Sequence, residues 1–314
     1  MTYKKYKTFN LLKRRPQVLL LGNGIVRNDN EDMRWERLIQ TIARDGIDTS
    51  EYRDVPYTIQ ATAVADIDDA KRRQKYEDML TKVTYRKNPL VNALLSIPFD
   101  AILSTNYTYE LEYHMLSQYP GLSKDAKHKY SYWTTDKWDS KYLIHGHNRL
   151  EKDGVAQDIW HIHGESRRKS SLILTHDEYA RLINRILLYN QERKKDYLDY
   201  ENEIHFKSWI DYFILGDLYI LGQGLNFSEF DLWWLLNRRL RENNVETGKV
   251  IFYEPKTKGA ETKVSVLHAF DVEYQDCGIM IEANCPKTDS LYTEFYALAI
   301  ADIKQRINAG KALP

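Results

Sequence analysis

The run Val18-Leu19-Leu20-Leu21-Gly22-Asn23-Gly24 joins four apolar residues to a glycine turn, and its reading decides the fold. A short apolar run that stops at glycine reads as a strand buried on both faces, the form parallel sheets take. The same figure returns along the chain. Ala101-Ile102-Leu103 precedes Ser104-Thr105-Asn106, and Ile159-Trp160-His161-Ile162 precedes His163-Gly164. Asp217-Leu218-Tyr219-Ile220-Leu221 precedes Gly222-Gln223-Gly224, and Val250-Ile251-Phe252-Tyr253 precedes Glu254-Pro255. Helical periodicity fills the intervals. Trp35, Leu38, Ile39 and Ile42 form one apolar stripe, and Tyr107 to Gln118 continues helically. Thr175 with Glu178 fits a capping box, and Phe206, Trp209, Ile210 and Phe213 form another stripe. Ser228 with Asp231 opens a helix carrying Leu232, Leu235, Leu236 and Leu240, and Leu291 to Ile307 closes the series. Strand, polar loop and helix in alternation predict an α/β, doubly wound, mostly parallel sheet.

Two segments break the rhythm: 44–100, which reads as a helical insert, and 119–157, an insert rich in Tyr, Trp, Lys and Asp. Each is expected to form a small lobe or lid on a single domain covering 1–314. The 314 residues suffice for a sizeable core. Lys and Arg number 45 and Asp and Glu 45, so no global charge favours nucleic acid, and the basic N-terminal arm reads as a solvated tail. No apolar run approaches the ~20 residues of a membrane span. The start of the chain lacks a signal-peptide core, which predicts a cytoplasmic protein. Cys277 and Cys285 are the two cysteines, too few for a four-cysteine zinc site.

In a doubly wound sheet, ligands bind at the carboxyl ends of the strands. Gly22, Asn23 and Gly24 at such an end suit close approach of a phosphate; a plain strand-to-helix turn is the alternative. Arg27 stands where a dehydrogenase fingerprint needs its third glycine, and no acidic residue ends a second strand some 20 residues on. Hydride transfer is therefore disfavoured. Thr105 or Asn106 could cap the next helix, or Asn106 could hold a ribose hydroxyl or a water. Alternation places His161 and His163 on one strand face; with no third ligand at matching spacing, no metal is expected. His163 before Gly164 is placed to act as a base, or else is a core histidine bonded to backbone. His145-Gly146-His147 is a second His-Gly pair, set in the irregular insert. Gly222, Gln223 and Gly224, with Ser228, Glu229 and Asp231 beyond, supply another polar strand end.

Taken in order, these pieces resemble the sirtuin-like domains of bacterial antiviral defence proteins. The matching stretches are Leu19 to Ile25 with Trp35-Glu36-Arg37-Leu38, Leu103 to Tyr107 with Glu112, and Trp160 to Glu165. They continue in Leu172 to Thr175 with Tyr179 and in Leu221 to Leu225 with Asp231, so the resemblance spans roughly 18–255. It implies a Rossmann-like core that binds NAD as substrate and cleaves the nicotinamide–ribose bond. On that resemblance Gly22, Asn23 and Gly24 cradle the phosphates, with Thr105 beside them. Asn106 holds the ribose or the attacking water, and His163 acts as base or ribose partner. Gly222, Gln223 and Asp231 line the far side of the nucleotide. Thr108 departs from the family, which often carries Asp there. Deacylating sirtuins carry a four-cysteine zinc module, so two cysteines favour NAD hydrolysis to nicotinamide and ADP-ribose, with no zinc. NAD depletion in antiphage defence, gated by an activating partner or by homo-oligomerisation, is the implied role. A non-catalytic module that senses NAD or ADP-ribose is the alternative.

Overall fold

The computed structural model describes residues 7–311 apart from 28–34, 53, 67, 81–82, 84, 117–130, 134–141, 153–154, 167–170, 199–202, 243–244, 283–284 and 286–289. Its strands in chain order are β1 (Lys7–Phe9), β2 (Gln17–Leu21), β3 (Ala101–Ser104), β4 (Ser131–Trp133), β5 (His147–Lys152) and β6 (Val155–His161). There follow β7 (Ile204–Phe206), β8 (Asp217–Leu221), β9 (Val250–Tyr253), β10 (Lys256–Thr257), β11 (Glu273–Gln275) and β12 (Met280–Ile281). The helices are α1 (Gly24–Arg27), α2 (Trp35–Ile42), α3 (Tyr57–Val64), α4 (Asp69–Leu80), α5 (Pro89–Leu95) and α6 (Glu110–Leu116). They continue with α7 (Tyr142–His145), α8 (His176–Leu198), α9 (Trp209–Leu215), α10 (Phe230–Leu240), α11 (Glu261–Ala269) and α12 (Ser290–Lys311).

Eight strands make one sheet in the order β11-β9-β8-β2-β3-β6-β5-β4. Neighbours from β11 to β6 are parallel, and β5 and β4 add an antiparallel edge. All five apolar runs read from the sequence lie in the parallel part. From β2 the chain builds outward through β3 and β6, then returns to the other side of β2 with β8, β9 and β11. Strand order therefore reverses between β2 and β8, a switch point of the kind at which open α/β sheets bind ligands.

Alternation along the strands divides the core between two faces. Val18, Leu20, Leu103, Trp160 and Ile220 point to one face, covered by α8, α9 and α10. Leu19, Leu21, Ile102, Ile159 and Leu221 point to the other, covered by α5, α6 and α12. A third cluster joins Leu38 and Ile42 of α2 to Ala61, Tyr76, Leu80, Tyr107 and Leu174, and this is the helical lobe.

The two inserts depart from their expected form. Within 44–100, α3 and α4 pack with α2 as a lobe, but α5 buries Val91 and Leu94 against the sheet. The described part of 119–157 is the short helix α7, which packs on α8 and α9, and sheet edge: β5 pairs with β6 over Asn148 to Lys152. Its alternation was obscured because Asn148, Gln157 and Asp158 are buried polar residues. Two helix starts also differ. Ser228 does not cap α10, whose N-cap is Glu229, and Phe206 belongs to β7.

The turns after β2 and β8 touch. Gly22 N–H donates to the Leu221 carbonyl at 3.0 Å and Gly24 N–H to the Gly222 carbonyl at 2.8 Å. A Cβ at Gly22 would lie 2.4 Å from the Gly222 oxygen and 2.6 Å from Gln223 Cα. Gly22→Ala is expected to lower the unfolding free energy by about 1–3 kcal/mol through overpacking, measured by urea denaturation. A loss under about 0.5 kcal/mol, the scale of a neutral surface change, would contradict this close approach.

Candidate functional site

A cavity of about 400 Å³ opens where the carboxyl ends of β2, β3, β6 and β8 face the helical lobe, within the size range of small-molecule sites. Asn23, Thr105, Asn106, His163 and Gln223 line its sheet side. Trp35, Leu38, Tyr57, Thr58 and Leu80 line the lobe side. Trp35 and Tyr57 stack with centroids 5.5 Å apart and planes 7° from parallel, and Tyr57 Oη donates to Glu36 at 2.8 Å. Tyr107, Tyr179, Lys263 and the loop from Gly224 to Glu229 complete the wall.

His163 reaches the cavity because the chain turns sharply after β6. Gly164 takes φ +93° and packs so tightly that a Cβ would lie 2.1 Å from the Ser171 carbonyl oxygen. The Ile173 amide then holds the His163 carbonyl at 2.9 Å. Asp231 on α10 sits behind the ring: its Oδ2 lies 2.8 Å from His163 Nε2, and both side chains are buried. A carboxylate at Nε2 fixes that nitrogen as the donor, which leaves Nδ1 as the basic nitrogen in the neutral ring. Burial opposes charge on His163, but the Asp231 carboxylate outweighs it and raises the pKa. Asp231 thus orients His163; it does not line the cavity, where it had been expected to face the nucleotide.

The glycines have a similar indirect role. The amides of Gly22 and Gly24 are engaged by β8 and its turn, and Gly22, Gly24 and Gly222 lie behind the wall rather than on it. Polar side chains bridge the switch point in their place. Thr105 Oγ1 donates to Gln223 Oε1 at 2.9 Å, and Gln223 Nε2 donates to Glu229. Glu229, which also accepts from Asn226 N–H at 2.9 Å, is pushed up to about 7 by burial. Lys263 reaches the wall from α11, held by Glu254 at 2.7 Å and by the Gly224 carbonyl.

Asn106 is 4% exposed, and its side-chain Nδ2 has no hydrogen-bond partner among the described residues. A buried amide N–H₂ left unpaired costs free energy, and Asn106 is one of the residues that line the cavity. Behind it lies a second charged cluster that sequence reasoning missed. His161 Nδ1 donates to the Asn106 carbonyl at 2.7 Å, and its Nε2 lies 2.9 Å from Glu112. Asn148 Nδ2 donates to the same Glu112 oxygen at 2.9 Å. Glu110, two residues earlier on α6, accepts from Thr108 and is raised to about 7 by burial.

The two histidines therefore serve opposite faces of the sheet. Because β6 ends at His161, strand alternation does not extend to His163, and the expected common face is not formed. His145 and His147 lie away from the cavity. His145 is bonded to the Lys207 carbonyl, and His147 stacks on Trp160. Among the described residues, no group of three or more His, Cys, Asp and Glu is placed to hold a metal ion, and no helix is long and apolar enough to cross a membrane. Compared with known proteins, the chain matches no family model and no curated sequence.

Burial opposes the charge on His161, yet Glu112 and then Glu165 push its pKa up to about 9 from 6.5. Glu112 is also buried, and His161 with Asn148 holds it below 4.5. For His161 the folded value is the higher one, so its stabilisation is full below pH 6.5 and is lost as pH rises through about 9. For Glu112 the folded value is the lower one, so its share is present above 4.5 and is lost as pH falls through the depressed value. The urea midpoint of the wild type should fall more steeply than that of Glu112→Gln between pH 6.5 and about 9. Parallel pH profiles for the two proteins would sink the assignment.

Proposed function

We propose that the chain is an NAD hydrolase with a Rossmann-like core, cleaving the nicotinamide–ribose bond to give nicotinamide and ADP-ribose. One observation carries the reading: Asn106 and His163, from the ends of two different parallel strands, meet on one cavity beside the switch point. The resemblance of the motif order to sirtuin-like defence domains supplies the substrate. The same resemblance supplies the proposed setting, NAD depletion in antiphage defence under control of a partner or of self-assembly.

The chemistry asks little of the protein. The bond from ribose C1′ to the pyridinium nitrogen breaks with its electron pair going to the ring, which leaves neutral and needs no general acid. Water oxygen bonds to C1′, and the proton it sheds passes to His163 Nδ1 or to solvent. Between these events C1′ is oxocarbenium-like, so positioning and a water-poor cavity matter most. Asn106 Nδ2 would hold the water or a ribose hydroxyl. Asp231 would keep His163 Nδ1 free to accept, Lys263 would offer positive charge to the phosphates, and Trp35 and Leu80 would exclude bulk water.

The test is incubation of the purified full chain with NAD, following nicotinamide and ADP-ribose by chromatography. Asn106→Ala and His163→Ala should each lower turnover by at least about 100-fold, the scale of a lost positioned acid–base group. Asp231→Asn should fall between them and the wild type. Cleavage that survives both alanine substitutions would overturn the site. NAD bound by the wild type and recovered intact would replace hydrolysis with nucleotide sensing.

A further inference from the structure

We infer that His161 is a positioning residue that aims the Asn106 amide into the cavity, and that Glu112 keeps His161 in the form able to do so. The inference rests on the reading of Asn106 as the group that meets the ligand, and it adds the device that sets its orientation.

The backbone of Asn106 is gripped on both sides of its Cα. Its N–H donates to Ser104 Oγ at 3.1 Å, and its carbonyl accepts from His161 Nδ1 at 2.7 Å. The side chain, in contrast, has an Nδ2 with no partner among the described residues. No hydrogen bond of its own holds that nitrogen, so the backbone grip matters because it fixes the Cα–Cβ bond from which the amide projects. His161 itself is not part of the cavity wall.

The partners of the imidazole fix its protonation. A carbonyl oxygen at Nδ1 and a carboxylate oxygen at Nε2 can both be satisfied only if both nitrogens carry hydrogen. The ring is thus an imidazolium facing a carboxylate, consistent with the raised His161 and lowered Glu112. Asn148 completes the grip on Glu112, and Tyr109 packs edge-on against the imidazole with centroids 5.4 Å apart. Burying such a pair is costly, and an apolar replacement of similar volume is often as stable. Fixing one peptide is a use for the pair that an apolar replacement would not provide.

Isosteres separate orientation from bulk. His161→Asn sets an amide nitrogen near the position of Nδ1 and keeps the bond to Asn106. His161→Gln sets one near Nε2 and keeps only the bond to Glu112. Turnover of NAD by the full chain should fall about 100-fold in His161→Gln, the scale of a reacting group displaced by ~1 Å. It should stay within about tenfold of wild type in His161→Asn, with KM changed less than kcat in both. A second readout does not depend on turnover: the side-chain amide signals of Asn106 in the full chain labelled with ¹⁵N-asparagine, assigned by their loss in Asn106→Ala. They should be a single sharp pair in the wild type and His161→Asn, and broadened or doubled in His161→Gln. Glu112→Ala, which removes the anchor at Nε2 altogether, should also disturb them, which provides the same reading if His161→Gln does not fold. Unchanged amide signals in both His161→Gln and Glu112→Ala would overturn the inference, as would equal turnover in the two His161 variants. Absence of NAD cleavage by the wild type would overturn the hydrolase reading alone, and the amide signals would still decide the positioning role.

Discussion

Gly22 and Gly222 approach until the main chains of two turns are in contact, and the ends of three strands are tied together there. Gly22 N–H reaches the Leu221 carbonyl, Gly24 N–H reaches the Gly222 carbonyl, and Thr105 N–H reaches the Leu21 carbonyl at 3.0 Å. Strand order reverses at this place, so no crossover helix is wedged between β2 and β8 at their carboxyl ends. The contact leaves Asn23, Thr105 and Gln223 together on the rim of the cavity. The glycines make the rim possible, while the groups that face the cavity belong to their neighbours.

The rim is supported from both sides by a histidine and a carboxylate. On the α10 side, Asp231 holds His163, which enters the cavity. On the α6 side, Glu112 holds His161, which grips the Asn106 backbone. The pairs have the same composition but different placement, and placement sets the role. His163 turns one nitrogen to Asp231 and lines the cavity, whereas both nitrogens of His161 are committed inside the protein. Gly164 separates the two environments by turning the chain immediately after His163.

The parallel strands were legible because Val18 to Leu21 and Leu218 to Leu221 are apolar without interruption, and Gly or Asn marks where each run ends. The strand-end residues Asn23, Asn106, His163 and Gln223 were legible for the same reason. The antiparallel edge was not, because its buried positions carry Asn148, Gln157 and Asp158, which satisfy hydrogen bonds and ion pairs instead of showing hydrophobic alternation. Lys263 and Tyr57 join the wall through tertiary packing of α11 and α3, and no local pattern marks them. Glu112 was visible as part of a motif, but its pairing with His161 spans 49 positions and becomes apparent only once α6 lies against β6. The role of Asp231 was misplaced because sequence shows that a carboxylate is near a strand end, not whether it stands before or behind the histidine.

The lobe that carries Trp35, Leu38, Tyr57 and Leu80 belongs to the connection between β2 and β3. That connection is latched where it re-enters the sheet: Asp100 N–H donates to the Gln17 carbonyl at 2.8 Å, and the Asp100 carboxylate accepts from Gln17 N–H at 2.8 Å. The register of β2 on β3 therefore does not depend on what fills the interval, and lengthening such a loop costs closure entropy that grows only with the logarithm of its length. One wall of the cavity is fixed by the sheet, while the facing wall can diverge in length and sequence without unthreading it. Changes can thus accumulate on the lobe wall of the cavity while Asn106 and His163 keep their places at the strand ends, so the shape of the cavity and the geometry of its sheet side are free to vary separately.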